Sequence, residues 1–551
     1  MSVPSKKMRV RSSPLLCVRG LSVKYFEAGN SSPALDQIDF DLAGGEVIGV
    51  LGESGAGKST LALSILGLLP STAQVEGSIV FQGEELCGIG EPRWKSIRGA
   101  KIAMIFQEPE LSLSPMMRVG DQIAEVLRAH RSMSRKIRRL ECEALLRQVG
   151  FSGVDRISRA YPHQLSGGEL HRVAVAQALA CRPDLVIADE ATRSLDATTQ
   201  TQVLPVLHEI VGNFGSSLIF ITHNPALLVG FADRVIAIHA GRIVEDGPTA
   251  QVAQSPRLCT QRLVRRVPQS RQHTDLGAQR SEPLLEARAV CKQYRQRGAL
   301  SRKIFAVNAL TDVNLEIHAG SITALVGESG SGKSTLASCL AMLESPDRGE
   351  IWFEGNEISR WNSRRLATLR PKIQIVLQAA AAALNPGFTA AEIIGEPLEI
   401  QHRESGPRLR VRVCELMEEV GLKADWADRL PHKFSGGQRQ RLAIARAIAL
   451  KPACLILDES LSGLDLSTQA QIIDLLLELQ KVHSLTYLLI SHDLALVGQI
   501  ADFVAVMHGG GIVERGPRQK VFTNPRHVHT QELLDSARMV ESPLAAVQVG
   551  R

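Results

Sequence analysis

No apolar run in the sequence approaches the ~18–20 residues that a membrane-crossing helix requires. The longest candidates, such as Leu61–Leu69, stop at a proline. No membrane span is therefore expected. The N-terminal stretch MSVPSKKMRVRSSPLLCVRG is basic, but it has neither the hydrophobic stretch nor the small-residue cleavage site of a secretory signal. Nine cysteines are dispersed, with no CxxC pair and no His/Cys cluster at ligand spacing, which is the usage of a reduced cytosolic protein. The formal net charge is +6, small for this length, and the basic residues are scattered. That argues against a dedicated nucleic-acid binder, which masses positive charge on one stretch or face.

What is present is a chain of 551 residues, longer than one hydrophobic core usually supports, so two or more domains are expected. With 44% hydrophobic and 22% charged residues, a core of normal size can be buried. The chain is also internally duplicated. GESGAGKST at 52–60 recurs as GESGSGKST at 327–335, LSGGE at 165–169 as FSGGQ at 434–438, LVIADE at 185–190 as CLILDE at 454–459, and ITHN at 221–224 as ISHD at 490–493. The order is kept, and the offsets nearly agree: 275 residues from Lys58 to Lys333, and 269 from both Glu190 to Glu459 and His223 to His492.

The segment 265–283, RRVPQSRQHTDLGAQRSEP, has no apolar period and reads as a linker. As a flexible coil its ends average about 24 Å apart, enough for two domains to face each other. The expected organisation is a tail at 1–14, a first half at 15–264, the linker, a second half at 284–538 and a tail at 539–551. Within each half, β-branched runs such as EVIGVLG, KIAMIFQ, DLVIAD and SLIFITH alternate with helical stretches. This predicts an α/β fold with a mostly parallel, helix-covered sheet. Between Gln107 and Ser166 the sequence turns helical and charged, and 391–430 repeats the pattern, which predicts an inserted helical subdomain in each half.

Two segments fit the phosphate-loop pattern G-x-x-x-x-G-K-S. The first is Gly52, Glu53, Ser54, Gly55, Ala56, Gly57, Lys58, Ser59 and Thr60. The second is Gly327, Glu328, Ser329, Gly330, Ser331, Gly332, Lys333, Ser334 and Thr335. Each follows a hydrophobic strand and opens a helix. The glycines let backbone N–H groups wrap phosphates, the helix N-terminus adds positive potential, and the lysine reaches the outer phosphates. The hydroxyls of Ser59 and Ser334 are placed to ligand Mg²⁺. Asp189–Glu190 and Asp458–Glu459 end two further hydrophobic runs, 131 and 125 residues beyond the loop lysines. In each pair the first acid suits the surroundings of the metal and the second can polarise an attacking water. His223 and His492 each follow their acid by 33 residues and are candidate γ-phosphate contacts. Gln107 and Gln378 end IAMIFQ and IQIVLQ, and both are candidates to reach the metal and the water.

The LSGGE and FSGGQ motifs separate one group from other phosphate-loop enzymes. The whole pattern resembles the ABC ATPase superfamily over nearly all of both halves. The resemblance implies two cassettes, each a mostly parallel sheet with an antiparallel portion and an inserted helical subdomain. It also implies head-to-tail pairing, with ATP and Mg²⁺ sandwiched between the loop of one cassette and the serine–glycine motif of the other. Lys58, Gln107, Glu190 and His223 then face Ser435, Gly436, Gly437 and Gln438. Lys333, Gln378, Glu459 and His492 face Ser166, Gly167, Gly168 and Glu169. Tyr25 and Tyr294 resemble the aromatic that stacks on adenine, although a packed tyrosine fits their position nearly as well.

The first half carries the departures. Glu169 stands where the second has Gln438, His171 where it has Gln440, Gln177 where it has Arg446, and ATRSLD where it has SLSGLD. A carboxylate near ATP phosphates adds repulsion unless it turns away or finds a cation. The site using Ser166–Glu169 is therefore expected to be the weaker one. The alanines at 379–383 carry no physical reading.

Proline-containing segments after each glutamine, and the tails VAQSPRLCTQRL and VFTNPRHVHTQELL, resemble the oligopeptide/dipeptide/nickel importer branch, whose tail runs Asn-Pro-x-His-Pro-Tyr-Thr-x-x-Leu. Asn524, Pro525, His527 and Thr530 match, while Val528 and His529 depart. The first tail keeps Pro256, Thr260 and Leu263. This branch implies two bacterial inner-membrane permeases docking near 107–120 and 378–397, a solute-binding protein outside, and a peripheral place on the cytoplasmic membrane face. Cys259 stands alone in its tail, so no iron–sulfur cluster is expected. The rivals are a two-cassette translation factor on the ribosome, which wants a long basic helical linker, a DNA-repair ATPase, which wants zinc-ligand cysteines or long coiled coils, and a sugar importer, which lacks these tails. The solute is not written in the chain.

Overall fold

The protein is described from a computed structural model, in which the described residues are 14–25, 33–53, 55–107, 112–191, 204, 207–209, 211–252, 282–297, 304–377, 383–402, 404–461, 463–464 and 466–537. The chain divides into two compact units, the first reaching Arg266 and the second running from Val267 to Arg538. Nearly all of the expected linker falls outside the described residues; its last residue, Pro283, already opens a strand.

In the first unit, β1 (Leu16–Tyr25), β2 (Pro33–Leu42), β4 (Ala73–Phe81) and β5 (Glu84–Glu85) form an antiparallel sheet in the order β2-β1-β4-β5. The second sheet takes β3 (Val47–Leu51), β6 (Ile102–Ile105), β7 (Leu185–Asp189), β8 (Ser217–Thr222), β9 (Arg234–His239) and β10 (Arg242–Pro248) in the order β10-β9-β3-β8-β7-β6. All its neighbours run parallel except β10, which returns antiparallel on β9. Every residue of β3, β7 and β8 is buried, the continuous apolar run of a strand covered on both faces. By contrast β2 alternates buried and half-exposed positions, the mark of a sheet with one face on the core.

The second unit repeats the plan. An antiparallel sheet runs β12-β11-β14-β15, from β11 (Pro283–Arg297), β12 (Ile304–His318), β14 (Arg348–Phe353) and β15 (Asn356–Glu357). The mixed sheet runs β16-β17-β18-β13-β19-β20, from β13 (Ile322–Gly327), β16 (Ile373–Val376), β17 (Cys454–Asp458), β18 (Thr486–Ile490), β19 (Phe503–His508) and β20 (Gly511–Pro517). The order is the same as in the first unit read from the opposite edge.

The helical insertions form as expected. In the first unit the helices Val119–His130, Arg135–Gln148 and Val154–Arg159 bury Ile123, Leu127, Leu145 and Leu146. These pack in one cluster with Leu170 and Val173 of the helix Gly167–Ala178 and with Val186 and Phe220 of the sheet. The serine–glycine helix is thereby tied both to the insertion and to the strands that carry the acids. The second unit has helices Ala390–His402 and Gly406–Glu419 in the same role, packed with Leu442 and Ile444 of Gly436–Ile448.

Candidate active site

Because β3, β8, β7 and β6 are parallel neighbours, whatever follows them emerges at one edge of the sheet, the carboxyl ends where open α/β sheets bind ligands. The phosphate loop follows β3, Gln107 follows β6, Glu190 follows β7 and His223 follows β8. In the second unit β13, β17 and β18 deliver the second loop, Glu459 and His492 the same way. Residues separated by up to 165 positions thus converge in each half.

Glycine is a steric requirement in these loops. Gly57 caps the helix Lys58–Ile65 at φ 102°, and Gly332 caps Lys333–Leu340 at φ 107°. A Cβ on either would lie 2.4 Å from a backbone oxygen, that of Ala34 or Ala309. No side chain larger than hydrogen fits there.

Lys58 is 5% exposed and Lys333 4%. Lys58 Nζ donates to the carbonyls of Gly52 and Glu53, both at 2.8 Å; Lys333 Nζ donates to those of Gly327 and Glu328 at 2.9 and 2.8 Å. Each ammonium also stands near its acid, Lys58 at 3.9 Å from Glu190 Oε1 and Lys333 at 3.8 Å from Glu459 Oε1. A buried cation is costly unless compensated, and here loop carbonyls and a carboxylate supply the compensation.

Gln107 Nε2 donates to Glu190 Oε2 at 3.2 Å, and His223 Nδ1 lies 3.3 Å from Glu190 Oε1. His492 Nδ1 lies 3.8 Å from Glu459 Oε2. Burial raises the Glu459 carboxyl, but the His492 imidazole and the Lys333 ammonium outweigh it and hold it below the usual range. Burial in turn lowers His492, and Glu459 reverses that and leaves it raised. The pair is thus biased towards carboxylate and imidazolium. Asp458 moves the other way: burial raises it against the Ser334 hydroxyl, which donates to its Oδ1 at 3.0 Å.

One feature escaped the sequence reading. Glu190 and Glu459 both adopt left-handed backbone, at φ 46° and 44°. A non-glycine residue there is strained by about 1–3 kcal/mol, and such strain collects at active sites. Each glutamate is anchored through its N–H, which donates at 3.0 Å to the carbonyl of Ile221 or Ile490 on the neighbouring strand. Nothing in the motif's letters signals this conformation.

Ser166 and Ser435 are N-caps of the helices Gly167–Ala178 and Gly436–Ile448. Both make the reciprocal capping box with the residue three on, Glu169 or Gln438. The serines and the first glycines, Gly167 and Gly436, are exposed. Glu169 also ion-pairs with Arg156. The carboxylate expected to repel phosphates has therefore both turned into its own helix cap and found a cation. His171, buried and for that reason held below the usual imidazole pKa, donates from Nδ1 to the Gly167 carbonyl at 2.9 Å. Arg446, where the first half has Gln177, pairs with Glu396 at 2.7 Å.

Tyr25 is half-buried against the core, with its hydroxyl 3.3 Å from that of Thr60 in the phosphate loop. Tyr294 donates to Glu344 at 2.6 Å, and Lys292 stands 5.8 Å from its ring centre. Ser54 and Gln378 lie outside the described residues, as do 192–200 with most of ATRSLD, the alanines 379–382 and the tail carrying Cys259.

Fold and site together define a phosphate-loop ATPase, built twice in one chain. The sequence model of the family described as "ABC transporter" matches residues 35–193 and 310–462. The chain is 41% identical over 538 residues to the peptidoglycan transport ATP-binding protein YejF of Agrobacterium fabrum, covering 96% of this chain and 98% of that one. It is 38% identical over 560 residues to the glutathione import ATP-binding protein GsiA of Escherichia coli K12, covering 96% and 90%. Among solved structures, the cassette MJ0796 bound to ADP and Pi is 30% identical, with 42% of this chain and 98% of that one covered and a TM-score of 0.39. The chain belongs to the ABC transporter family, as an ATP-binding protein with two ATPase cassettes.

Proposed function

We propose that this chain is the ATP-hydrolysing subunit of a bacterial importer for peptides or related small solutes of the glutathione type. It works with two inner-membrane permeases, is peripheral to the cytoplasmic face, and through the permeases serves a solute-binding protein outside. Two observations support the transport reading. The relatives at about 40% identity over nearly the whole chain are named for peptidoglycan transport and glutathione import. No helix among the described residues is long and apolar enough to cross a membrane, which fits a subunit working with membrane partners.

The observation that carries the ATPase chemistry is the lysine–glutamate–histidine cluster present in both halves. With ATP in place, Lys58 or Lys333 turns from loop carbonyls to the outer phosphates. Glu190 or Glu459 accepts hydrogen-bonded water and aligns its oxygen with the γ-phosphorus. That oxygen forms the new P–O bond as its proton passes to the glutamate carboxylate, the bond to the β-phosphate oxygen breaks, and ADP and phosphate separate. His223 or His492 holds the glutamate on one side and the γ-phosphate on the other, and Gln107 steadies Glu190. Ser334 and Asp458 are adjacent hard oxygen donors at the loop exit, a set that suits Mg²⁺, with Ser59 and Asp189 as their counterparts. The ion supplies charge neutralisation on the β- and γ-phosphates. By the family resemblance, the Lys58 site would also draw on Ser435, Gly437 and Gln438, and the Lys333 site on Ser166, Gly168 and Glu169.

The test is expression of the chain with its neighbouring membrane proteins. The expected result is co-purification with permeases and ATPase activity stimulated by a solute-loaded receptor. Co-sedimentation with ribosomes and none with permeases overturns the reading.

A further inference from the structure

The second cassette gathers three metal-ligating side chains at a place the hydrolysis chemistry does not use. Glu328 sits in the phosphate loop, where its carbonyl serves Lys333. Its carboxylate stands instead with His508, at the end of β19, and His529, on the tail helix 528–537. One ligand atom from each lies within 4.8 Å of the others. His508 Nδ1 and His529 Nε2 are 3.1 Å apart. Two imidazole nitrogens on one tetrahedral zinc ion, each at the usual bond length, stand about 3.3 Å apart; the ring centres, now 3.8 Å apart, would swing apart on binding so that both lone pairs face the ion.

The surroundings hold this arrangement. His529 is 7% exposed, and its other nitrogen, Nδ1, lies 3.5 Å from the Glu532 carboxylate. A carboxylate near the far nitrogen favours the tautomer whose near nitrogen presents a lone pair, the outer-shell placement typical of metal-bound histidine. The tail is pinned as well. The N–H groups of Arg526 and His527 donate to Glu514 at 2.9 and 3.0 Å, and Leu533 and Leu534 are buried in the core. A simple histidine–histidine hydrogen bond accounts for the two rings, and the Glu328 carboxylate within 4.8 Å adds a third ligand type to them.

The geometry points to a binding site for a divalent transition-metal ion of the zinc type, formed by Glu328, His508 and His529. Two imidazoles and one carboxylate favour such an ion over Mg²⁺, which takes oxygen ligands. Three protein ligands leave a position for water, so the ion is exchangeable. When bound, it fastens the C-terminal tail to the phosphate loop. In the first cassette Glu53 and His239 occupy the matching positions, but its tail lies outside the described residues, so the site is assigned to the second cassette alone.

The test uses the untagged full-length chain, stripped with chelator and dialysed against micromolar Zn²⁺ under excess Mg²⁺. His529→Phe keeps ring volume in the buried position, and His508→Ala alters an exposed strand end. The native chain is expected to retain one zinc more than either variant, and Co²⁺ in its place to give a visible absorption band absent from both. Glu532→Gln is expected to weaken zinc binding about tenfold or more. Retained ATP binding reports that each variant is folded; should His529→Phe lose it, His508→Ala decides alone. Equal zinc content in the native chain and the folded variants overturns the proposal.

Discussion

In the first cassette, Glu190 is held by Gln107 at 3.2 Å and His223 at 3.3 Å. In the second, His492 lies 3.8 Å from Glu459, Ser334 donates to Asp458, and the counterpart of Gln107, Gln378, lies outside the described residues. The serine–glycine helices differ too: one starts with a carboxylate neutralised by Arg156, the other with a neutral amide. The same residue types on the same strands therefore share one arrangement, with the histidine 3.3 Å from its glutamate in the first cassette and 3.8 Å in the second. What differs beside them is the residue at the start of each serine–glycine helix.

The largest expected effect comes from the bases. Glu190→Gln with Glu459→Gln should lower ATP turnover by roughly 10²–10⁴, the usual yield of a positioned general base. The single variants sharpen the comparison. On the proposed pairing Glu190→Gln leaves the site that uses Ser166–Glu169; with Glu169 tied to Arg156, the deficit expected from the sequence should shrink to a small one relative to Glu459→Gln in single-turnover hydrolysis. Equal residual rates remove the asymmetry.

Next in size is a pH effect at the second site. His492 and Lys333 hold Glu459 below its usual pKa despite burial, so its carboxylate persists to lower pH than burial alone permits. Removing His492 takes away part of that lowering. In a Glu190→Gln background, His492→Ala should therefore move the acid limb of the ATPase profile to higher pH, apart from any loss of rate. An unmoved limb contradicts the electrostatic role. The same contacts stabilise the fold at neutral pH, and that contribution is lost as pH falls through the lowered value.

The smallest effect tests the neutralised carboxylate. Arg156 is largely exposed, so its pair with Glu169 is screened and worth little by itself. Arg156→Ala should cost a few-fold in ATP affinity at the Lys333 site, and more at low salt, by unmasking repulsion. Glu169→Gln should cancel the loss. A full effect of Arg156→Ala in the Glu169→Gln background points to packing instead.

Much of this architecture was legible because the chemistry forces local sequence. A loop that must start a helix at φ above 100° with no room for Cβ has to be glycine, and a strand buried on both faces has to be apolar, so VIGVLG and LVIADE declare themselves. The repeat then supplied the two-unit plan, and strand order placed Gln107, Glu190 and His223 together as expected. Other features depend on contacts that the motifs do not encode. The left-handed glutamates depend on an anchor in the next strand, through Ile221 and Ile490. The Arg156–Glu169 pair joins the insertion to a helix cap, and spacing gave no hint of it. Tyr25 and Tyr294 match by position, yet one bonds to Thr60 and the other to Glu344. His529 read only as a departure from a tail pattern; its neighbours Glu328 and His508 are distant in sequence.

The central proposal, implied by the family resemblance, is that each nucleotide is gripped by a lysine from one cassette and a serine–glycine turn from the other. A double-mutant cycle on ATP hydrolysis, pairing Lys58→Ala or Lys333→Ala with Ser166→Ala or Ser435→Ala, addresses it directly. Coupled losses are expected for Lys58 with Ser435 and for Lys333 with Ser166, with additive losses for Lys58 with Ser166 and Lys333 with Ser435. Coupling within each cassette and additivity across them contradicts the account.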